Sequence, residues 1–271
     1  MSLWAGGFVS AKQTGVDAVS TAALRFSFAA LVMVALLWAC GDPLTLPSMR
    51  RSMAGGLAIG VEVVLSFTAL QQTTVVNVGV ITAMQPVVVL GIAYVAFGER
   101  PGGRNVLLGT VALACVLVVV ASSSGSPEWH LRGDLVAFAA VGCFSLYLAM
   151  ARHTAVELNA AHYTAATAVW GALVAVPLAF AVEGQVTVPA GSGWGWLAFL
   201  VIGAGVVGHQ AMNWSLRHIP FWVGSSVILL LPVGAALMAW MVLDEALTRY
   251  QVLAMAGVVL ALGAMARPRV R

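Results

Sequence analysis

The sequence predicts an all-α integral membrane protein with about ten transmembrane helices in two inverted five-helix repeats. Three observations support this: an apolar composition, a succession of long apolar runs, and an internal repeat. Of the 271 residues, 61% are hydrophobic and 8% are charged, whereas soluble domains carry about 25% charged residues. Lipid therefore replaces water as the solvent around most of the surface.

The apolar runs have the length of membrane spans. A helix needs roughly 20 residues to cross a hydrocarbon core about 30 Å thick. The predicted spans are 1–14, 20–40, 52–70, 75–97, 105–121, 133–151, 162–182, 194–215, 222–243 and 250–266.

The first span is shorter than the others. A helix of 14 residues is only about 21 Å long. We therefore expect about ten further apolar residues ahead of Trp4 in the complete gene product. The alternative is a first helix that does not fully cross the membrane.

The basic residues give the orientation. Nine arginines fall in links on one side of the predicted membrane and two on the other. Because cytoplasmic loops are rich in Lys and Arg, this bias predicts cytoplasmic N- and C-termini in the cell (inner) membrane.

The chain repeats itself at an offset of 146 residues. Pro86 corresponds to Pro232, and Glu99 corresponds to Glu245. The two repeats cover 1–122 and 132–267. Because each holds five spans, an odd number, the second must enter the membrane inverted, an arrangement typical of secondary transporters.

The paired prolines are the first candidates for function. A proline inside a helix lacks the N–H that would bond the carbonyl four residues earlier, so it bends the helix. Pro86 and Pro232 are interpreted either as paired bends that shape a transport pathway or as kinks in packed helices.

Three of the charged residues inside predicted spans are candidates for function. A carboxylate such as Glu62 is costly in lipid and usually faces an internal cavity. Its charge depends on which side is open to water, which would suit proton coupling; a structural hydrogen bond is the alternative. Lys12 and Arg25 could bind a substrate carboxylate or pair with Glu62, and Arg25 could instead extend to the membrane surface.

Further polar and aromatic groups lie where lipid disfavours them. His209 is 147 residues from Glu62 and could relay protons, or could simply be hydrogen-bonded. Gln85, Gln210 and Asn213 are expected to face inward, and Trp170 could stack on a ligand. Trp4 is interpreted instead as an interfacial residue.

Other functions find little support in the residues. No catalytic cluster, metal-ligand pattern or cofactor motif is recognised, and the arginines form no nucleic-acid-binding patch. Residues 203–208 match G-x-G-x-x-G, but they lie inside an apolar span, where close helix packing explains the glycines better. We therefore expect neither an enzyme nor a cofactor.

Several short motifs resemble one known family. They are Trp4–Lys12 followed by Ala23–Phe26, and Met84-Gln85-Pro86 followed by Gly98-Glu99-Arg100, with a second copy at Leu231-Pro232 and Asp244-Glu245. In order and spacing the chain resembles EamA-type carriers of the drug/metabolite transporter superfamily. The resemblance implies ten helices in two inverted halves, a central cavity, and movement of amino acids or related metabolites.

The leading hypothesis is therefore a secondary transporter that exports a small organic metabolite such as an amino acid, with protons as the candidate coupling ion. Import or exchange of a sugar-linked or phosphorylated metabolite is the alternative, although only Lys12 and Arg25 could offer it cations. A membrane assembly subunit without transport activity is the alternative from another class.

Overall fold

The computed structural model describes residues 2–73, 75–122, 130–243 and 247–266, and these form helices and connecting turns with no strand among them. The α-helices are α1 (Ser2–Gln13), α2 (Ala18–Ala39), α3 (Leu46–Gln72), α4 (Val75–Ala83), α5 (Gln85–Phe97), α6 (Gly103–Ala121), α7 (Leu131–Thr154), α8 (Ala160–Glu183), α9 (Gly193–Phe199), α10 (His209–His218), α11 (Phe221–Ser226), α12 (Leu230–Leu243) and α13 (Arg249–Ala266). A π-helix, Leu200–Gly208, joins α9 to α10, and a 3-10 turn, Val227–Leu229, joins α11 to α12.

Seven helical segments of the described chain are long and apolar enough to cross a membrane. They are Ala18–Ala39, Leu46–Gln72, Asn77–Phe97, Gly103–Ala121, Leu131–Thr154, Ala160–Glu183 and Gly193–His218. Phe221–Gly234 and Arg249–Met265 are apolar but shorter. The all-helical membrane class is confirmed, and the count of ten spans stays a prediction.

Local sequence signals explain where the helices begin and end. Thr45 accepts a hydrogen bond from the backbone N–H of Ser48 at the start of α3, and Asn159 accepts one from His162 at the start of α8. Such side chains satisfy N–H groups that have no partner within the helix. Gly98 and Gly184 end α5 and α8 in the left-handed region, with φ of 62° and 74°, which favours glycine.

Two helical segments are interrupted at corresponding places. α4 ends at Ala83 and α5 begins at Gln85, so Pro86 occupies the first turn of α5. The 3-10 turn ends at Leu229, and Pro232 lies in the first turn of α12. Both prolines therefore lie in the first turn after an interruption, which is where a missing N–H does least damage.

The most extensive packing joins α3 to α7, and α8 to both α2 and α3. Glycines permit it. A Cβ on Gly60 of α3 would be 3.0 Å from the Cα of Gly171 of α8, and one on Gly171 would be 2.5 Å from the ring of Phe26 of α2. α6 and α13 form a separate pair with a small apolar core between them.

Glu99 ties the two halves of the chain together. Its carboxylate accepts hydrogen bonds from the backbone N–H groups of Phe221 and Trp222 at 3.1 and 3.3 Å. Arg152 lies 3.6 Å from the same carboxylate. The end of α5 is thereby anchored to the start of α11. The repeat partner, Glu245, lies outside the described residues.

Candidate functional site

A cavity of about 90 Å³ lies in the interior of the helix bundle. It is lined by α1, α2, α3, α4, α5, α7, the π-helix, α10 and the segment around Pro232. Most of the lining is apolar, but four of the predicted residues contribute to it: Arg25, Glu62, Gln85 and His209. The structure thus brings together polar groups that are up to 184 positions apart in the chain.

Arg25 is buried and is held by His209. Its Nη2 atom lies 2.9 Å from Nε2 of His209, while Nε has no hydrogen-bond partner among the described residues. The guanidinium carbon also lies 5.5 Å from the centre of the Phe26 ring. Arg25 therefore faces the protein interior rather than the membrane surface, and the surface-anchor alternative is wrong.

Glu62 lines the same cavity from α3. Its Oε1 accepts a hydrogen bond of 2.6 Å from Ser66, one helical turn later. No ion pair joins Glu62 to Arg25 in the part of the chain that the structure describes. The cavity wall therefore presents a carboxyl group and a guanidinium group that are not paired with each other.

A chain of hydrogen bonds continues behind His209. Nδ1 of His209 lies 3.1 Å from the hydroxyl of Tyr147, which donates to Oδ1 of Asn213 at 2.9 Å. Asn213 donates to the hydroxyl of Thr164 at 3.0 Å. The chain joins α10 to α7 and α8 and satisfies polar groups that would be costly to leave unpaired in the interior.

Gln85 binds the part of the cavity wall that α7 forms. Its amide nitrogen donates to the hydroxyl of Ser145 at 2.5 Å and to the carbonyl of Val141 at 3.2 Å. The residue is fully buried. Gln85 thus fixes the start of α5 against α7, directly beside the helix interruption.

Trp4 corrects an expectation. The sequence placed it in an interfacial belt, but it is buried and lines the cavity. Its indole N–H donates to the carbonyl of Ala204 at 2.9 Å, and its ring lies 4.9 Å from that of His209. The contact requires Gly208, where a Cβ would be 2.3 Å from the indole nitrogen.

Other predicted residues do not line this cavity. The indole of Trp170 packs against Gly56 and donates to the carbonyl of Met49 at 2.8 Å. Gln210 faces inward, and its buried Oε1 has no partner among the described residues. Lys12 belongs to α1, but its side chain lies outside the described part of the structure.

Tyr147, Ser66 and Ser145 belong to the site but were not predicted from the sequence. Tyr147 is fully buried and connects His209 to Asn213. A tyrosine counts as apolar in a span, but its hydroxyl needs a partner when it is buried. A polar tip in the middle of an apolar helix is the signal that could have identified it.

The π-helix precedes His209 directly. It contains Gly203, Gly205 and Gly208, the residues of the rejected dinucleotide motif. Gly208 admits Trp4, and Gly205 is close to Arg25, whose Nε would be 3.6 Å from a Cβ at that position. The glycines thus allow close packing, as the sequence predicted, and π-helical turns are frequent at functional sites.

An apolar helix bundle with charged groups around a central cavity is the architecture of a membrane transporter. The EamA-like transporter family matches residues 1–121 and 131–266. The chain belongs to this family and is a multi-pass membrane transporter.

Individual proteins agree with the assignment. The chain is 25% identical over 234 residues to the "Uncharacterized transporter YyaM" of Bacillus subtilis (strain 168). The aligned region covers 82% of this chain and 76% of that protein. A solved crystal structure superimposes with a TM-score of 0.83 at 19% identity, covering 97% of this chain and 92% of the other. At that identity the second likeness shows the fold alone.

Proposed function

We propose that the protein is a secondary transporter that exports a small zwitterionic metabolite, such as an amino acid, across the cell membrane. The observation that carries the proposal is the pair Arg25 and Glu62, which line one cavity without forming an ion pair. A guanidinium binds a carboxylate, and a carboxylate binds an ammonium group. An amino acid carries both groups on one carbon.

The surroundings favour a small and partly apolar ligand. The cavity has a volume of about 90 Å³, and Val63, Phe67 and Phe144 are among its apolar lining residues. Binding energy from buried charged groups is larger than in water because water is largely excluded. A phosphorylated or sugar-linked substrate is less well suited, because Glu62 would repel a phosphate.

The topology of this transporter is part of the proposal. We propose ten spans in two inverted halves, with both termini in the cytoplasm. The nine-to-two arginine bias supports the orientation, and the helix interruptions beside Pro86 and Pro232, 146 positions apart, support the repeat. Inversion would place two similar bends around one central site.

A counterflow assay in proteoliposomes tests the substrate class. Vesicles loaded with unlabelled L-alanine should accumulate labelled L-alanine, whereas alaninamide, which lacks the carboxylate, and N-acetylalanine, which lacks the ammonium group, should not compete. Because each analogue leaves one charged group of the cavity unpaired, we expect a loss of competition of at least tenfold. Equal competition by all three compounds would exclude recognition of both charges.

Direction is tested by imposing a pH gradient. An exporter driven by proton entry should move L-alanine out of the compartment of higher pH, and the Arg25→Met variant should lose the activity while retaining membrane abundance. If Arg25→Met is as abundant in the membrane as the wild type and transports L-alanine equally fast, the proposed substrate site at Arg25 is contradicted.

A further inference from the structure

The direction of every hydrogen bond behind Arg25 follows from the donors available. Thr164 donates its hydroxyl proton to the carbonyl of Ala160 at 2.8 Å, so its oxygen accepts from the amide nitrogen of Asn213. Asn213 therefore presents its carbonyl oxygen to Tyr147, which donates its hydroxyl proton there.

This ordering fixes the tautomer of His209. A tyrosine hydroxyl has one proton, and Tyr147 has given it to Asn213. Towards His209 the tyrosine oxygen can only accept, so Nδ1 of His209, 3.1 Å away, must carry a proton. A neutral imidazole has one N–H, so Nε2 is a lone pair, and it accepts a hydrogen bond from Nη2 of Arg25 at 2.9 Å.

A second proton on His209 is incompatible with this arrangement. If Nε2 were protonated, two donors and two positive charges would face each other at 2.9 Å in a buried site. The Arg25 side chain would have to move away from His209.

The described surroundings offer Arg25 one other charged partner. The titratable groups around His209 in the described chain are Arg25 from α2, Glu62 from α3, Tyr147 from α7 and, behind it, Tyr163 from α8; the neighbour from α1 is the uncharged ring of Trp4. Glu62 is the acid among the described residues that line the cavity. Arg25 displaced from His209 would therefore pair with Glu62.

We infer that His209 is a positioning residue for Arg25, and that a proton on His209 and a substrate in the cavity exclude each other because both act through the Arg25 guanidinium. With His209 neutral, Arg25 is held in place and is not paired with Glu62. A zwitterion can then bind both residues. With His209 protonated, Arg25 and Glu62 pair and leave the substrate neither group. Because the site holds either the proton or the substrate but not both, the transport cycle exchanges a proton for a substrate molecule. The part of the inference that concerns the substrate rests on the proposed function, whereas the part that concerns the proton on His209 does not.

The tautomer is measured without any substrate. In ¹⁵N-histidine-labelled protein in lipid bilayers at neutral pH, the resonance that disappears in His209→Gln should be that of a neutral ring protonated at Nδ1. Tyr147→Phe removes the acceptor of the Nδ1–H but leaves Arg25 donating to Nε2, so the ring should stay protonated at Nδ1 while its Nδ1 resonance shifts. Tyr163→Phe is the matched control, since its hydroxyl bonds the backbone carbonyl of Tyr147 at 3.1 Å, and it should leave the resonance unchanged. A wild-type ring protonated at Nε2, or equal shifts in both tyrosine variants, would overturn the inference.

The exclusion is measured by binding of labelled L-alanine at a series of pH values. In the wild-type protein the apparent Kd should rise about tenfold per pH unit below the titration of His209, because one proton competes with one substrate molecule. His209→Gln keeps an acceptor for Arg25 but cannot be protonated, so its Kd should rise less steeply than that of the wild type over that range, and protonation of Glu62 would account for the remaining rise. A wild-type slope retained in His209→Gln would overturn the exclusion. Absence of L-alanine binding at every pH would instead refute the proposed function, while the tautomer measurement would still decide the role of His209.

Discussion

Replacing Gly171 by alanine should destabilise the protein, because this residue lies where two helices approach α8. The added Cβ would lie 2.5 Å from the ring of Phe26, whereas non-bonded carbons are most stable at about 3.5–4.0 Å. Phe26 is buried in the main apolar core, so the ring has little space to move aside. Relief of about 1 Å of overlap therefore requires α2 and α8 to separate.

The magnitude follows from two opposing effects. Overpacking of a filled core costs about 1–3 kcal/mol. Alanine is better than glycine inside a helix by about 0.8–1 kcal/mol. Gly142→Ala in α7 is the matched control, since a Cβ there meets nothing within 4 Å. Because the helix-propensity gain is common to both variants, their difference isolates the steric cost of about 1–3 kcal/mol.

The assay is unfolding of both purified variants in mixed micelles by titration with a denaturing detergent, followed by the change in helix content. We expect Gly142→Ala at or above the wild-type midpoint and Gly171→Ala clearly below it. If Gly171→Ala is as stable as Gly142→Ala, the close approach of α2 to α8 is not present in the folded protein.

Three further predictions concern the transport cycle. Pro86→Ala and Pro232→Ala should each slow counterflow of labelled L-alanine with membrane abundance unchanged, because each restores an N–H that continues the helix; wild-type rates in both would reduce the bends to packing features. A phosphatase fused after Gly191 should be active and one after Arg271 inactive, and the reverse pattern would refute the orientation. Glu62→Gln should exchange L-alanine more weakly, because glutamine cannot pair with the ammonium group of the substrate, and should lose accumulation driven by a pH gradient, because glutamine cannot pair with a displaced Arg25; full pH-driven transport in this variant would contradict the role given to Glu62.

The helices were predictable from sequence for a simple physical reason. Backbone polar groups cannot be left unpaired in lipid, so an apolar run of about 20 residues has one stable conformation there. The predicted run 162–182, for example, lies within α8, Ala160–Glu183. The sequence also predicted the polar residues of the cavity best where their burial in lipid would be most costly, as for Arg25 and Glu62.

The remaining parts of the site depend on tertiary contacts that no local pattern encodes. Trp4 was assigned to the interface because it lies near one end of its predicted span, but Gly208, more than 200 positions away, makes room for it. Tyr147 was overlooked because its ring is as apolar as its neighbours. The pairing of Arg25 with His209 could not be deduced either, since the sequence suggested Glu62 as the partner of the arginine.

The prolines and the cavity are connected through two lining residues. Pro86 cannot donate to the carbonyl of Thr82, and Pro232 cannot donate to that of Ile228. Thr82 and Ile228 both line the cavity, and they are themselves 146 positions apart. The carbonyl of Ile228 instead accepts a hydrogen bond at the end of the 3-10 turn. Each proline thus places an interruption of the helical hydrogen bonding beside a residue of the cavity wall, where interrupted helices are tolerated in a membrane protein. The same placement in both halves of the chain favours the proposed role of the bends in binding or moving the substrate over a role in packing alone.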